Sequence, residues 1–132
     1  MKTKQQNIKI VGRVTYGNGL GQRFGFPTAN LVPTAEVEGV ADGVWAAVAE
    51  VDGGVWHAVV NIGFSPSVIT AGGRRVEAHL MGYEGDLYGK TITLTLRHHI
   101  REERKFPTRE ALIEQIGRDR DRAEELLKED TN

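Results

Sequence analysis

Four glycines lie close together near the amino end of the chain. They are Gly17, Gly19, Gly21 and Gly25. Glycine allows the backbone to turn successive N–H groups inward, so such a run can hold an anion without a large positive charge. The spacing matches neither the Walker A pattern nor the dinucleotide-binding fingerprint. The segment could equally be a connection that uses glycine for its turns, so phosphate binding is one of two open interpretations.

A glutamate in the run RRVEAHLM is a second candidate for chemistry. The run alternates like a strand, with its valine, alanine and first leucine on one face. Glu77 and His79 therefore share the opposite face and point into one environment. A positioned carboxylate can serve as a general base, although a lone strand glutamate is more often a solvated surface residue. His79 is left without an assigned role.

Two adjacent histidines lie in a charged run near the start of the last quarter of the chain. Neighbours on a strand point to opposite faces, so His98 and His99 cannot readily share one ion, and we expect no zinc site there. The surrounding charges are expected to be solvated. The chain has no cysteine, which excludes disulfides, thiolate metal sites and a cysteine nucleophile and suits a reducing cytoplasm.

Length and composition favour a single domain that positions these residues. A chain of 132 residues with 39% hydrophobic and 27% charged residues has the balance of one globular domain, expected here over residues 1–132. The net charge of −1 is too even for the positive field that attracts nucleic acid, so nucleic acid is not an expected partner. The polar start and the lack of a long apolar stretch predict no signal peptide, no membrane association and a cytoplasmic location.

Short strands joined by glycine turns account for most of the chain. Runs with the character of strands lie at 8–14, 43–51, 55–62, 74–81 and 90–97. Asp52-Gly53-Gly54 between the second and third runs predicts an antiparallel hairpin. No regular element is expected from Gly17 to Thr34, because glycine and proline are frequent there. Close strands without helices between them favour an antiparallel barrel over a parallel sheet.

The carboxyl end has the pattern of a helix. Pro107-Thr108 can open it, and we expect it over about residues 108–128, after a barrel of about 7–100. One apolar stripe is formed by Leu112, Ile116, Ala123 and Leu127. Gly117 weakens the helix by about 1 kcal/mol relative to alanine. Asp119 and Arg120 interrupt the stripe, which we expect to pack on the barrel.

Five sequence blocks resemble the riboflavin kinase family, in the order in which that family has them. The blocks are GFPTANL at 25–31, NIG at 61–63, VEAHL at 76–80, GDLYG at 85–89 and REERKF at 101–106. The likeness spans about residues 12–127. Three positions depart from the family pattern: Ser65 where arginine is common, Ser67 where threonine is common, and Gly82 where aspartate is common. They put ligand affinity and loop stability in doubt, and none replaces a proposed catalytic group.

The resemblance implies a fold and a set of roles. The implied fold is a mainly β, six-stranded antiparallel Greek-key barrel with a C-terminal α-helix. Glu77 takes the place of the general base, and Thr28 and Asn30 that of the Mg²⁺ ligands. ATP binding is implied for Gly17, Gly19, Gly21, Arg23, Gly25, Thr28 and Asn30. Flavin binding is implied for Arg101, Glu103 and Arg104.

The activity implied by the resemblance is riboflavin kinase, which transfers the γ-phosphate of ATP to the 5′-hydroxyl of riboflavin and gives FMN with Mg²⁺. A non-catalytic flavin- or nucleotide-binding barrel is the alternative, and retention of Thr28, Asn30 and Glu77 argues against it. In bacterial bifunctional enzymes such a domain is joined to an adenylyltransferase domain, for which this chain has no room. The expected partners are riboflavin and ATP, with an adenylyltransferase domain if the chain is an excised part.

Overall fold

A computed structural model describes residues 6–15, 28–34, 39–64 and 74–130. The strands are β1 Ile8–Thr15, β2 Ala29–Pro33, β3 Gly43–Val51, β4 Gly54–Phe64, β5 Arg74–Leu80 and β6 Thr91–Arg101, and the helix α1 is Arg109–Asp130. The six strands close into a barrel in the order β1-β2-β5-β4-β3-β6, and every neighbouring pair is antiparallel. The expected barrel with a C-terminal helix is confirmed.

Strand β2 corrects the prediction that Gly17 to Thr34 has no regular element. Its odd-numbered residues are buried and its even-numbered ones are more exposed. The strand pairs with β1 on one side and with β5 on the other, so it closes the barrel between them. Five residues ending in a proline are too few to stand out locally, and the pairing partners on both sides supply the hydrogen bonds that define the strand.

The interior of the barrel is filled by the inward-facing residues of all six strands. The largest fully buried side chains of this core are aliphatic: Leu31, Val60, Ile62, Val76, Ile92, Leu94 and Leu96. On β5 the buried positions alternate with half-buried ones, as the alternation in the sequence predicts. The side chains at the alternate positions of β5 therefore point to the outer surface of the barrel.

The hairpin between β3 and β4 confirms the turn expected from the sequence. Asp52 and Gly53 both have positive φ, at 51° and 77°, and Val51 pairs directly with Gly54. This is the two-residue turn whose twist matches that of the flanking strands. The hairpin sets the register of β4 on β3.

Helix α1 covers one part of the outer surface of the barrel. Its contacts on the barrel form a second apolar cluster of Ala46, Ala123 and Leu127 with Val48, Val59, Met81 and Ile100. The buried residues of the helix also include Asp119, which the sequence pattern treats as an interruption of the apolar stripe. Within the described part of the chain, no helix is long and apolar enough to cross a membrane.

We expect Thr108→Ala to destabilise the fold by about 1 kcal/mol. The Thr108 hydroxyl accepts a hydrogen bond from the backbone N–H of Ala111 at 3.1 Å and so satisfies one of the free donors at the start of α1. The change is measured by urea unfolding, as a shift of the midpoint while the slope of unfolding free energy against urea concentration stays constant. Thr108→Ser keeps the hydroxyl and should restore most of the loss. Equal loss in both variants would contradict the capping role.

Candidate active site

One row of residues crosses five strands on the outer surface of the barrel. Asn30 on β2 is in register with Glu77 on β5, and Glu77 is in register with Asn61 on β4. The row continues through Val44 on β3 to Arg101 on β6. The core residues on either side of Asn30, Glu77 and Asn61 point into the barrel, so these three side chains face outward. Antiparallel pairing thus places the candidate base and the candidate flavin arginine on one surface.

A cavity of about 150 Å³ lies between this row and α1. Its apolar walls are Val44, Val59, Phe106, Leu112 and Ile116. Its polar lining is Thr28, Asn61, Glu77, His79, Arg101, Asp119 and Arg120. An apolar pocket with a few converging polar groups is typical of a small-molecule site. The three described residues with a predicted catalytic, metal or flavin role that line this cavity are Thr28, Glu77 and Arg101.

Glu77 is a half-buried carboxylate whose proton affinity is altered by its surroundings. Burial raises the pKa of Glu77 above its ordinary value of 4.5. The neighbouring guanidinium of Arg75 lowers the pKa and the Glu103 carboxylate raises it, with a net increase. A carboxylate with a raised pKa that faces a cavity has the properties of a general base. His79 shares this face and lines the same cavity, as the strand alternation predicts.

Arg75 links three groups of the site and was not found from the sequence. Its Nε lies 3.1 Å from Oε1 of Glu77, and its terminal nitrogen lies 3.1 Å from Oε1 of Glu103. The same nitrogen donates a long hydrogen bond of 3.4 Å to Asn61 Oδ1. Gly63 leaves the space for this cluster, because a Cβ there would lie 2.8 Å from Arg75 and 2.9 Å from Glu103. A side chain at this position of the NIG block would therefore require the ends of Arg75 and Glu103 to shift.

Thr28 has a buried hydroxyl oxygen without a hydrogen-bond partner among the described residues. Such an oxygen is normally paired in a folded protein, so among the described residues it remains available to a ligand. Asn30 is half-buried two residues further along the chain and lies beside Glu77 in the sheet, although it does not line the cavity. Two neutral oxygen donors of this kind fit a hard cation such as Mg²⁺.

Arg101 is held by helix α1 at the edge of the cavity. Its Nε donates to both carboxylate oxygens of Asp119 at 3.0 and 3.1 Å, and a terminal nitrogen donates to Oδ2 at 2.8 Å. The other terminal nitrogen donates to the Glu102 carbonyl at 3.1 Å. The guanidinium carbon lies 5.5 Å from the centre of the Phe106 ring. Arg101 is therefore held in position by Asp119 and the Glu102 carbonyl.

Glu103 and Arg104, the other two candidate flavin residues, do not line the cavity. Glu103 is paired with Arg75, which also contacts Glu77. Arg104 lies over Phe106 at 4.8 Å and donates a hydrogen bond of 2.8 Å to Gln115 Oε1. Arg104 thus contacts a residue that lines the cavity, Phe106, whereas Glu103 is connected to the lining through Arg75 and Glu77.

The two adjacent histidines are bound to different parts of the molecule. His98 is buried, and its Nε2 lies 2.8 Å from Asp130 Oδ1 at the end of α1. The His99 ring packs edge-on against Trp45 of the barrel core, with 4.9 Å between ring centres. The two rings thus point in opposite directions, as expected from strand geometry, and each has a structural contact.

Several predicted positions lie outside the described residues. Among the candidate ATP-binding residues these are Gly17, Gly19, Gly21, Arg23 and Gly25, and two of the family departures, Ser65 and Ser67, are also outside. The third departure, Gly82, lies in the turn after β5 with a φ of 79°. Glycine adopts this left-handed conformation without the strain that aspartate would carry, so the substitution suits the turn.

Asp119 is the residue of the site that sequence reasoning most clearly missed. It lies four residues before Ala123 and eight before Leu127, so it is on the apolar stripe itself. A carboxylate at a buried position of a stripe requires a charged partner. A carboxylate on the apolar stripe was therefore the signal in the sequence that a charged partner lies nearby. In the structure this partner of Asp119 is Arg101.

Comparison with known proteins agrees with this architecture. The family model described as "Flavokinase: Riboflavin kinase" matches residues 4–127. The bifunctional riboflavin kinase/FMN adenylyltransferase of Escherichia coli K12 is 42% identical over 89% of this chain and 37% of its own length. The "RNA-binding riboflavin kinase RibR" of Bacillus subtilis is 37% identical over 83% of this chain and 47% of its own length. The chain thus spans between about a third and a half of these relatives.

A solved structure supports the same fold. Riboflavin kinase from Trypanosoma brucei superposes with a TM-score of 0.66, covering 93% of this chain and 81% of that one, at 24% identity. At this identity the superposition bears on the fold alone. The family match covers nearly the whole chain, and it agrees with the closed six-stranded barrel and its C-terminal helix. By these matches, the chain belongs to the riboflavin kinase family.

Proposed function

We propose that this chain transfers the γ-phosphate of ATP to the 5′-hydroxyl of riboflavin and so produces FMN. The observation that carries the proposal is the carboxylate of Glu77, half-buried and with a raised pKa, on the polar side of a cavity that also has apolar walls. A flavin needs both kinds of surface, because the faces of its ring system are apolar while the ring edge carries carbonyl groups and the ribityl chain bears hydroxyls. Family membership supports the same activity.

In the proposed reaction Glu77 accepts the proton of the ribityl hydroxyl as that oxygen attacks phosphorus. The bond from the γ-phosphorus to the β,γ-bridging oxygen breaks, and ADP leaves. A positioned general base contributes roughly 10²–10⁴ in rate. The guanidinium of Arg75, whose Nε lies 3.1 Å from Oε1 of Glu77, places a positive charge beside this carboxylate. Burial raises the pKa of Glu77, so its carboxylate is a stronger base than that of an exposed glutamate.

Thr28 and Asn30 would hold the Mg²⁺ ion through their side-chain oxygens. The buried hydroxyl oxygen of Thr28, which has no hydrogen-bond partner within the described part of the chain, supports this assignment. When bound, the ion neutralises phosphate charge, and Mg²⁺ commonly takes its remaining ligands from water and phosphate oxygens. The glycines Gly17, Gly19, Gly21 and Gly25, with Arg23, are proposed from the sequence to hold the phosphates themselves.

Arg101 is proposed to contact the flavin directly, since it lines the cavity. Glu103 and Arg104 are proposed to act on the flavin segment, residues 101–106, through Arg75 and Gln115. The whole chain is proposed to be one riboflavin kinase domain. In bifunctional relatives this domain is accompanied by an adenylyltransferase, and such a domain is a proposed partner of this chain too.

The direct test is incubation of the purified chain with riboflavin, ATP and Mg²⁺, with FMN measured by chromatography and fluorescence. We expect FMN and ADP in equal amounts, and none when ATP is omitted. A flavin-binding barrel without catalysis would quench riboflavin fluorescence and form no FMN. That outcome would favour the alternative function over the kinase.

We expect Thr28→Ala and Asn30→Ala each to raise the Mg²⁺ concentration for half-maximal activity by about tenfold, because each removes an oxygen from a shell with few protein ligands. Activity is measured against free Mg²⁺ at fixed ATP. Thr91→Ala, an exposed threonine on β6, is the matched control and should titrate like the parent. Unchanged titration in both site variants would place the ion elsewhere.

A further inference from the structure

Asp119 on α1 is a nearly fully buried carboxylate, with 4% of its surface exposed. It receives three hydrogen bonds from Arg101 at 2.8 to 3.1 Å. Gln115, one turn earlier on the helix, donates a fourth at 2.9 Å to Oδ1. Paired arginine and carboxylate groups in this arrangement fix both the position and the plane of the guanidinium. Arg101 is thus oriented by the helix as well as by its own strand.

Gln115 extends the same network to the second arginine. Its side-chain oxygen accepts a hydrogen bond of 2.8 Å from Arg104, while its nitrogen donates to Asp119. Both guanidinium groups lie over Phe106, at 5.5 and 4.8 Å from the ring centre. The flavin segment is therefore tied to α1 at both of its arginines, with Phe106 between them.

The pairing also determines what Arg101 can offer a ligand. A guanidinium has five N–H groups, and the bonds to Asp119 and Glu102 within the described residues use three of them. Among the described residues, two N–H groups of Arg101 remain as donors. The charge of Arg101 is balanced by Asp119, so the pair presents hydrogen-bond donors without net charge. Donors of this kind suit the neutral carbonyl groups of a flavin ring.

We propose that Asp119 and Gln115 are positioning residues of the flavin subsite: they hold Arg101, Arg104 and Phe106 in the arrangement that binds riboflavin. The inference rests on the proposed function and deepens it. Helix α1 then has a part in substrate binding in addition to covering the barrel. The contribution is made through the arginines, since Asp119 acts on the flavin by way of Arg101.

The test is Asp119→Asn, which keeps the shape of the side chain and removes its charge. We expect the dissociation constant of riboflavin, measured by fluorescence quenching, and its KM to rise at least about tenfold, as for loss of charged hydrogen bonds. The KM of MgATP and kcat should stay within about twofold. Asp121→Asn is the matched control, because Asp121 is on the same helix with its side chain 79% exposed, and it should behave like the parent.

A double-mutant cycle separates positioning from general stability. Arg101→Lys should raise the riboflavin KM to a similar extent, and the double variant with Asp119→Asn should rise little further, because both changes break one pair. Gln115→Met, at a less buried position, should raise the riboflavin KM two- to fourfold and supplies the test if Asp119→Asn does not fold. A purely structural role would lower the melting temperature of the variants and leave riboflavin affinity unchanged, which would overturn the inference.

Failure of this inference and failure of the proposed function have different signatures. If the parent forms FMN and the folded variants bind riboflavin as the parent does, the positioning role is wrong and the kinase function stands. If the parent binds riboflavin and forms no FMN, the kinase function is wrong. The binding measurements on Asp119→Asn and Gln115→Met then still decide the positioning role.

Discussion

Glu77→Gln is expected to lower kcat at least about a hundredfold, with the KM of riboflavin and of MgATP within about threefold of the parent. The amide keeps the shape of the side chain and cannot accept the proton of the ribityl hydroxyl. A base acts mainly in the transition state, so the loss falls on kcat. Steady-state FMN formation at saturating substrates measures it.

Glu50→Gln is the matched control for this prediction. Glu50 is an exposed glutamate on β3, so the same chemical change there leaves the cavity untouched. We expect parental kinetics from this variant. Retention of more than about a tenth of the parental kcat in Glu77→Gln would remove Glu77 from the role of general base.

The raised pKa of Glu77 predicts that FMN formation depends on pH. Activity of the parent should fall as pH drops through this pKa, and the acid limb should lie above 4.5, the ordinary glutamate value, because burial raises the pKa. The residual activity of Glu77→Gln should lack that limb.

The raised pKa of Glu77 also makes folding stability depend on pH, and stability changes with pH in the opposite direction to activity. A folded pKa above the unfolded one means that Glu77 contributes stability below about pH 4.5 and loses it as pH rises through the folded value. Glu77→Gln should therefore melt no lower than the parent at pH 7, and this melting temperature also shows that lost activity is not lost folding.

Gly43→Ala is expected to destabilise the fold by about 3 kcal/mol or more, with a melting temperature lower by about 10 °C. Gly43 has a φ of 131°, which side-chain-bearing residues rarely adopt. A Cβ there would lie 2.3 Å from the backbone oxygen of Arg101 and 2.7 Å from His99 Nε2. Strands β3 and β6 would have to separate beside Arg101, so the riboflavin KM should rise as well.

Gly117→Ala is a control that is expected to stabilise the fold, whereas Gly43→Ala destabilises it. Gly117 lies within α1, and a Cβ there would meet no atom within 4 Å among the described residues. We expect the change to stabilise the protein by up to about 1 kcal/mol, because alanine favours helix. The melting temperatures of both variants, measured by thermal unfolding, test these two expectations. A parental melting temperature for Gly43→Ala would show that the β3–β6 contact at this point is not tight.

The sequence predicts those parts of the fold whose signals are local. Alternation identifies five strands, and Asp52-Gly53 identifies the hairpin that the structure confirms. Strand β2 is missed because it is short and follows a proline and glycine run, and its existence depends on β1 and β5, which are distant in sequence. Nothing within Ala29–Pro33 alone distinguishes this strand from a loop.

The site likewise has features that local sequence determines and features that depend on elements distant in sequence. The outward direction of Glu77 is set by its own strand and was predicted, whereas the contacts of Arg75 and Asp119 depend on other elements. Arg75 is positioned beside Glu103 by the pairing of β4 with β5 and the absence of a side chain at Gly63. Asp119 meets Arg101 only because α1 packs against β3, β4 and β6. Sequence periodicity shows which face a residue takes and does not identify its partner.

A single-turnover experiment tests the central claim most directly. The protein is mixed in excess over riboflavin, with ATP labelled in the γ-phosphate and Mg²⁺, and the label in FMN is followed in time. We predict that the parent converts all bound riboflavin to labelled FMN in one exponential phase, at least about a hundredfold faster than Glu77→Gln. Riboflavin that is bound and remains unlabelled in the parent, or equal rates in the two proteins, would contradict the account.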